Sequence, residues 1–350
     1  MIFEDKTILI TGGTGSLGKT FVKRVLTGEQ GTPKKVIVFS RDEAKQHKMR
    51  VEYLNRRITT DETIFNNFKN ALEFRIGDVR NYPDIVSAVR DADIIVNAAA
   101  LKQVPTCEYF PYQAVLTNCK GVYNLIRAIE ESDYHSEVVV GVSTDKACKP
   151  VNVMGMSKAI QERLFISANI LSKKTRFVCV RYGNVLASRG SVIPLFHDQI
   201  LSGGPVTITN GKMTRFLLPL NKAVDTVFSA IQTAKAGETY IPRISSATMQ
   251  NIAKTLIDNR QIEIKVIGTR PGEKQHEIMV SEEEISRTIA RGDYYVIGPM
   301  LPELFNNEKN TALTKEYSSA DNPLDLTGTC ELLRKYRLMV EDANQDELLR

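Results

Sequence analysis

Residues 143–158 read STDKACKPVNVMGMSK and bring three hydroxyls, one carboxyl and three amines within sixteen positions. Lys158 stands four residues after Met154, a spacing at which many nucleotide-binding oxidoreductases keep a tyrosine and a lysine. A thioether neither takes nor gives a proton. Any proton chemistry in this stretch therefore falls to its hydroxyl, carboxyl and amine side chains rather than to Met154. Neighbouring residues of a strand point to opposite faces, so Asp145 and Lys146 can serve one site only where the strand has ended. The change from VVVGVS to TDKACKP predicts an irregular turn at that point.

The elements that must hold such a turn are legible as a rhythm. TILIT, KVIVF, DIIVNAA, EVVVGVS and RFVCVRY are short, β-branched and nearly continuous, as strands covered on both faces are. Between them lie segments with helical spacing at 16–28, 42–58, 109–132 and 152–171. The order β-α-β-α predicts a Rossmann-type, doubly wound parallel sheet. After residue 182 glycine and proline become frequent and the strands shorten. We expect a dinucleotide-binding domain over 1–182, with segments at about 190–235 returning to it. A smaller α/β substrate lobe should occupy most of 183–304, and 305–350 form a polar extension with one terminal helix.

The chain of 350 residues carries 46 basic and 41 acidic residues, a net charge of +5 spread without blocks. That pattern gives no nucleic-acid arm and no polybasic membrane anchor. No apolar run approaches the roughly 20 residues of a membrane span. Cysteines at 107, 119, 148, 179 and 330 contain no C-x-x-C pair, and His47, His135, His197 and His276 show no ligand spacing. We expect a reduced cytoplasmic protein without a metal.

TILITGGTGSLGKTFVKRVL places Gly12, Gly15 and Gly18 after the first strand and at the opening of a helix, where backbone N–H groups can meet a pyrophosphate. The second strand ends in Ser40, Arg41 and Asp42. Arg41 and Lys45 can hold a 2′-phosphate, which predicts NADP in preference to NAD, although Asp42 keeps the alternative open. Asp78, after the third strand, suits the adenine amino group or a helix N-cap.

TGGTGSLG, AAALKQVP, STDKACKP, RYGNV, SRGSVIP, MTRF and GTRPGEK together resemble the extended short-chain dehydrogenase/reductase superfamily. More narrowly, they resemble its UDP-N-acetylglucosamine 4,6-dehydratases, over about residues 5–300. Some members of that group carry methionine in place of the tyrosine. The resemblance implies that hydride leaves sugar C4 for the dinucleotide, that the 4-ketone acidifies C5–H, that water is lost across C5–C6, and that hydride returns to C6. In that scheme Asp145 is the acid, Lys146 the C5 base, Thr144 the holder of the C4 hydroxyl, and Lys158 the holder of the nicotinamide ribose. Asp145 would be protonated and Lys146 neutral near pH 7. The C4 base is left to Asp145 or to a water held by Thr144 and Lys158, and Met154 packs at the nicotinamide.

The resemblance further implies cofactor contacts from Gly12, Thr14, Gly15, Ser16, Leu17, Gly18, Ser40, Arg41, Lys45, Asp78, Val79, Ala98, Lys102, Asn118 and Lys158. Substrate contacts would come from Lys102, Asn184, Val185, Arg189, Met213, Arg215, Arg270 and Glu273. Arg215 and Arg270 are expected to clamp the UDP diphosphate. Helices at 109–132 and 152–171 resemble the pair that builds dimers in the superfamily, so a homo-oligomer is expected. The competing readings are a C4 epimerase, a dehydratase releasing a 5,6-unsaturated sugar, and a non-catalytic NADP-binding regulator.

Overall fold

The computed structural model describes residues 1–54, 62–186, 191–304 and 311–342. Six strands, β1 (Thr7–Thr11), β2 (Lys35–Ser40), β3 (Leu72–Ile76), β4 (Ile94–Asn97), β5 (Val138–Thr144) and β6 (Arg176–Tyr182), run parallel in the order 3-2-1-4-5-6. The chain then makes β7 (Asn184–Val185), β8 (Val206–Ile208) and β9 (Thr214–Leu218) before β10 (Thr239–Pro242) rejoins the sheet beside β6. Further on come β11 (Ser246–Thr248), β12 (Ile264–Val266) and β13 (Ile278–Val280). An antiparallel pair, β14 (Thr288–Arg291) and β15 (Tyr294–Ile297), then closes the edge of a nine-stranded sheet. The short β16 (Tyr317–Ser318) follows and pairs with β13.

Alternation along the strands explains the two faces. Ile8, Ile10, Val36, Val38, Val138 and Val140 point into one buried cluster, whereas Leu9, Ile37, Phe39 and Val139 point into another. The helices of the first half are α1 (Ser16–Leu26), α2 (Glu43–Leu54), α3 (Glu62–Ala71), α4 (Tyr82–Val89), α5 (Val104–Tyr109), α6 (Pro111–Val115), α7 (Gly121–Glu130) and α8 (Val153–Leu171). A π-helical turn at Leu116–Lys120 joins α6 to α7. The second half adds α9 (Val192–Leu201), α10 (Leu220–Thr233), α11 (Met249–Ile257), α12 (Glu282–Ile285) and α13 (Leu326–Lys335). Phe21 of α1 and Phe228 of α10 cover the first face with Phe3, their rings meeting edge to face at 5.5 Å. Ile85, Leu125 and Phe165 bring α4, α7 and α8 to the second.

A third cluster, separate from the sheet, joins Phe196 of α9, Leu256 of α11 and Leu333 of α13 with Met339 and Val340. Chain from α10 to β10 thus belongs to the large sheet, whereas α9 packs in the small lobe with the C-terminal segment. This is the doubly wound α/β fold with a smaller mixed C-terminal lobe. Among the described residues no helix is long and apolar enough to cross a membrane.

Candidate active site

β5 ends at Thr144, and Asp145–Ala147 form one turn of 3-10 helix. The pleat is broken there, which turns Asp145 and Lys146 toward a common space. Thr144 Oγ1 donates to Asp145 Oδ1 at 2.9 Å, and Lys146 Nζ donates to the same oxygen at 3.0 Å. Asn184 Oδ1, just past β6, accepts from Lys146 Nζ at 3.1 Å. Asp145 is fully buried, and its Oδ2 has no hydrogen-bond partner.

A residue that the sequence reading passed over completes this group. Glu277, in the loop before β13, is 2% exposed and brings Oε1 to 3.3 Å from Lys146 Nζ. Burial lowers the affinity of Lys146 for its proton, but the Asp145 and Glu277 carboxylates outweigh it, with Arg215 opposing them, and the net shift is upward. Lys146 is therefore an ammonium at rest. The expected neutral amine is not what this surrounding favours: two buried carboxyl groups face the lysine and draw its affinity for a proton upward.

Lys158 behaves differently. It lies on the inner face of α8, 6% exposed, and donates to Val142 O and to Gln161 Oε1, each at 2.6 Å. Burial lowers its pKa to about 8, partly offset by Cys179, Glu162 and Cys119. Met154 is buried beside Cys107 and Ala114 in a small apolar cluster that also holds Leu101, Val104 and Val153.

Beneath the turn, Arg181 of β6 is buried between two carboxylates. It donates to Glu162 at 3.0 and 2.7 Å and to Glu284 at 2.7 and 2.9 Å. Glu162 also accepts from Ser143 Oγ at 2.5 Å. This network fastens α8 and α12 to the strand ends that carry the turn.

The glycine loop meets the geometric demands of a dinucleotide phosphate. Gly12 adopts φ +68°, and a Cβ there would come within 2.8 Å of Ala99 N. A Cβ on Gly18 would lie 2.5 Å from Gly13 Cα, so α1 packs onto the loop only because that hydrogen is small. Gly15 caps α1 with no side-chain acceptor, which leaves the first helical N–H groups for an external anion. Thr14 is buried and donates to Ser40 at 3.3 Å, while Ser16 and Leu17 open the helix. Buried Asn97 at the end of β4 has an amide nitrogen without a partner. These residues fit a dinucleotide.

Around this cradle, Arg41 is half exposed and lies 3.7 Å from Asp78. Lys45 pairs with Asp42 through both its backbone and its side chain. Asp78 accepts from Arg80, at 2.9 Å from Nε and 2.6 Å from Nη2, and the cap position of α4 belongs to Asn81. Burial would raise the Asp78 carboxyl, but Arg80 and Arg41 bring it below its usual range. Val79 is buried against Gly121, and Ala98 extends the β4 pairing by donating to Thr11 O. Asn118 sits in the π-helical turn and spends its amide on Leu101 N, Leu101 O and Ser157 Oγ at 2.8–3.0 Å. It anchors the exposed Lys102 loop to the Lys158 helix.

On the small-lobe side, Val185 pairs with β9 and packs on the main core. Met213 is 2% exposed within the small-lobe cluster. Arg215 is buried and donates to the carbonyls of Thr214, Lys274 and Gln275 at 2.7–3.3 Å. Its fork is occupied by main chain, so it stiffens the loop before β13 instead of standing open as a phosphate clamp. Arg270 is exposed in a turn closed by Glu273, whose carboxylate accepts from Arg270 N at 3.2 Å. Gly272 of this turn accepts from Asn152, the N-cap of α8, at 2.8 Å. Arg189 lies outside the described residues. Among the described residues no group of three or more His, Cys, Asp or Glu side chains is arranged to hold a metal.

The chain matches the model of a family described as polysaccharide biosynthesis protein over residues 8–299. Proteins named UDP-glucose 4-epimerase from Rickettsia bellii and Rickettsia rickettsii are 42% and 43% identical over 345 residues, covering 95% of this chain and 96% of theirs. The X-ray structure of Pen from Bacillus thuringiensis superposes with a TM-score of 0.85 at 35% identity, over 97% of this chain and 100% of that one. DesIV, a dTDP-glucose 4,6-dehydratase from Streptomyces venezuelae solved with NAD, shares the fold with a TM-score of 0.65 at 21% identity, over 77% of this chain and 86% of that one.

Proposed function

Because the chain belongs to the polysaccharide biosynthesis protein family, we propose that it modifies a nucleotide sugar with a bound dinucleotide, as a UDP-N-acetylglucosamine 4,6-dehydratase that uses NADP. The observation that carries this reading is the carboxylate and amine of Asp145 and Lys146, 3.0 Å apart on one turn. Elimination of water needs an acid at the leaving hydroxyl and a base at the neighbouring carbon. Inverting C4 alone needs neither.

A bound dinucleotide would supply a hydride acceptor for C4 and a hydride donor for C6, with no net oxidation. The N-terminus of α1 and the Gly12–Gly18 loop would hold its pyrophosphate, Lys158 its nicotinamide ribose, and Ser40 with Arg41 the 2′-phosphate. The exposed guanidinium of Arg41 at the end of β2 supports NADP over NAD. Thr144 holds the C4 hydroxyl and passes its proton to Asp145 through their 2.9 Å hydrogen bond. Asp145, now a carboxylic acid, releases that proton to the departing C6 hydroxyl. Lys146 takes the C5 proton and gives a proton back to C5 when hydride reaches C6.

Exposed aromatic and aliphatic side chains on α5 to α8, among them Tyr109, Tyr112, Tyr123 and Ile160, support a homo-oligomer. The names borne by the Rickettsia relatives favour a second reading, UDP-sugar C4 epimerisation. Incubating the protein with UDP-N-acetylglucosamine in D2O separates the two by proton NMR. A new C6 methyl with deuterium at C5 is the expected result. A retained CH2OH with inverted C4 establishes the epimerase instead.

A further inference from the structure

Proton accounting in the site leaves one proton without a place. Lys146 starts as an ammonium, yet it must be an amine when C5 is deprotonated. Asp145 cannot relieve it, because Asp145 is by then carrying the C4 hydroxyl proton. We infer that Glu277 takes the proton of Lys146 during C4 oxidation and returns it when the cycle closes, and that the C-terminal segment holds Glu277 in place for this.

Three observations carry the inference. Glu277 Oε1 lies 3.3 Å from Lys146 Nζ, a short path for proton exchange. Glu277 Oε2 and Asp145 Oδ2 are both buried without a partner, so the cluster presents two acceptor oxygens and too few protons to serve them. The backbone of Glu277 is clamped reciprocally: its N–H donates to Ser319 Oγ at 2.9 Å, and Ser319 N–H donates to Glu277 O at 2.8 Å. Ser319 is fully buried, directly after β16, and its hydroxyl also meets Thr214 Oγ1 at 2.7 Å.

The charged and polar groups facing Lys146 are Asp145, Asn184, Glu277 and Arg215. Besides Lys146, Glu277 faces Arg215, whose Nε is 3.9 Å away. Lys274 is turned to Cys148 O and His276 to Thr214, so neither supplies a competing proton there.

The cycle then balances. At rest Asp145 and Glu277 are carboxylates and Lys146 an ammonium. Oxidation at C4 puts the hydroxyl proton on Asp145, and the Lys146 proton moves to Glu277. Elimination breaks C5–H and C6–O: the C5 proton goes to Lys146, the Asp145 proton leaves with the hydroxyl as water, and a C5–C6 double bond forms. Hydride at C6 and the Lys146 proton at C5 complete the product. Glu277 then re-protonates Lys146 and the resting charges return. Glu277 touches no reacting atom; it is a positioning residue acting through Lys146.

The role of Glu277 in turnover rests on the dehydratase reading, so the test has an arm that does not. Competitive acetylation across pH, read by mass spectrometry, gives the titration midpoint of Lys146 in the full chain without substrate. Glu277→Gln removes a negative neighbour and should lower that midpoint by about one pH unit. With substrate, the same variant must discard the lysine proton to solvent. Its kcat should fall at least about tenfold at pH 7 and climb with pH, while the wild-type kcat stays flat over the same range. Glu277→Asp should restore part of the pH 7 rate, and it serves as the test variant if the glutamine form does not fold. A folded Glu277→Gln protein with an unchanged Lys146 midpoint, or with the wild-type kcat profile, overturns the inference. A wild-type protein that forms no 6-deoxy sugar overturns the dehydratase reading, and the acetylation arm still decides whether Glu277 and Lys146 are coupled.

Discussion

Arg181→Leu offers a stability test whose size depends on pH. The guanidinium is buried and makes two hydrogen bonds to each of Glu162 and Glu284, with a fifth to Met279 O at 2.8 Å. Burial would raise the Glu284 carboxyl, but Arg181, the Ser281 backbone N–H and Arg287 together bring it from 4.5 down to about 2. A shift of that size corresponds to about 3 kcal/mol. Because the folded value is depressed, this contribution is fully present above about pH 4.5 and is lost as pH falls toward 2.

Leucine removes the cation and leaves two buried carboxylates, for which the loss is about 3–5 kcal/mol. Their folded pKa values then rise above the unfolded ones, so the variant is destabilised further as pH increases. Urea unfolding followed by circular dichroism, at one protein concentration, should give the larger difference from wild type at pH 8. At pH 5, where the orphaned carboxylates are protonated, the difference should shrink by about 1–2 kcal/mol. Equal differences at the two pH values, or a difference below about 1 kcal/mol at pH 8, would refute the argument that this network is an ion-paired brace.

Lys158 gives a second rise of stability with pH, from a lysine instead of a carboxylate. Its folded pKa of about 8 lies below the unfolded value of 10.5, so folding expels a proton, and wild-type stability should rise relative to Lys158→Met by about 3 kcal/mol as pH goes from 7 to above 10; parallel unfolding curves across that range contradict it. Arg41→Ala should weaken NADP binding about tenfold or more and leave NAD binding nearly unchanged, measured by isothermal titration; equal loss for both nucleotides assigns Arg41 to the shared part of the cofactor.

Local pattern carried the reading of the first half of the chain. Strand runs such as TILIT and KVIVF announce a sheet buried on both faces, and Gly12, Gly15 and Gly18 announce their turn because each requirement is met within one strand, loop and helix. The break in pleat at Thr144 was legible for the same reason. Charge partners were not. Arg215 reads as a phosphate clamp until the main chain of 274 and 275 is found to fill its fork, some sixty residues away in sequence. Asn118 and Asp78 are spent on Leu101, Ser157 and Arg80. Glu277 belongs to no motif, and its relation to Lys146 exists only because β13 folds back beneath the turn. The upward shift of Lys146 comes, against burial, from Asp145 first and from that unseen neighbour second, and only the first of these was legible in the sequence.

The pairing of β13 with β16 also has a consequence for synthesis. Every residue that faces Lys146 has been joined to the chain once position 277 is added, yet the two hydrogen bonds between Glu277 and Ser319 cannot form until some forty residues later. During that interval the nascent chain can close its large sheet and its glycine loop while the strand beneath the lysine lacks its partner. Assembly is thus ordered along the chain, with the glycine loop complete before the strand beneath the lysine gains its partner.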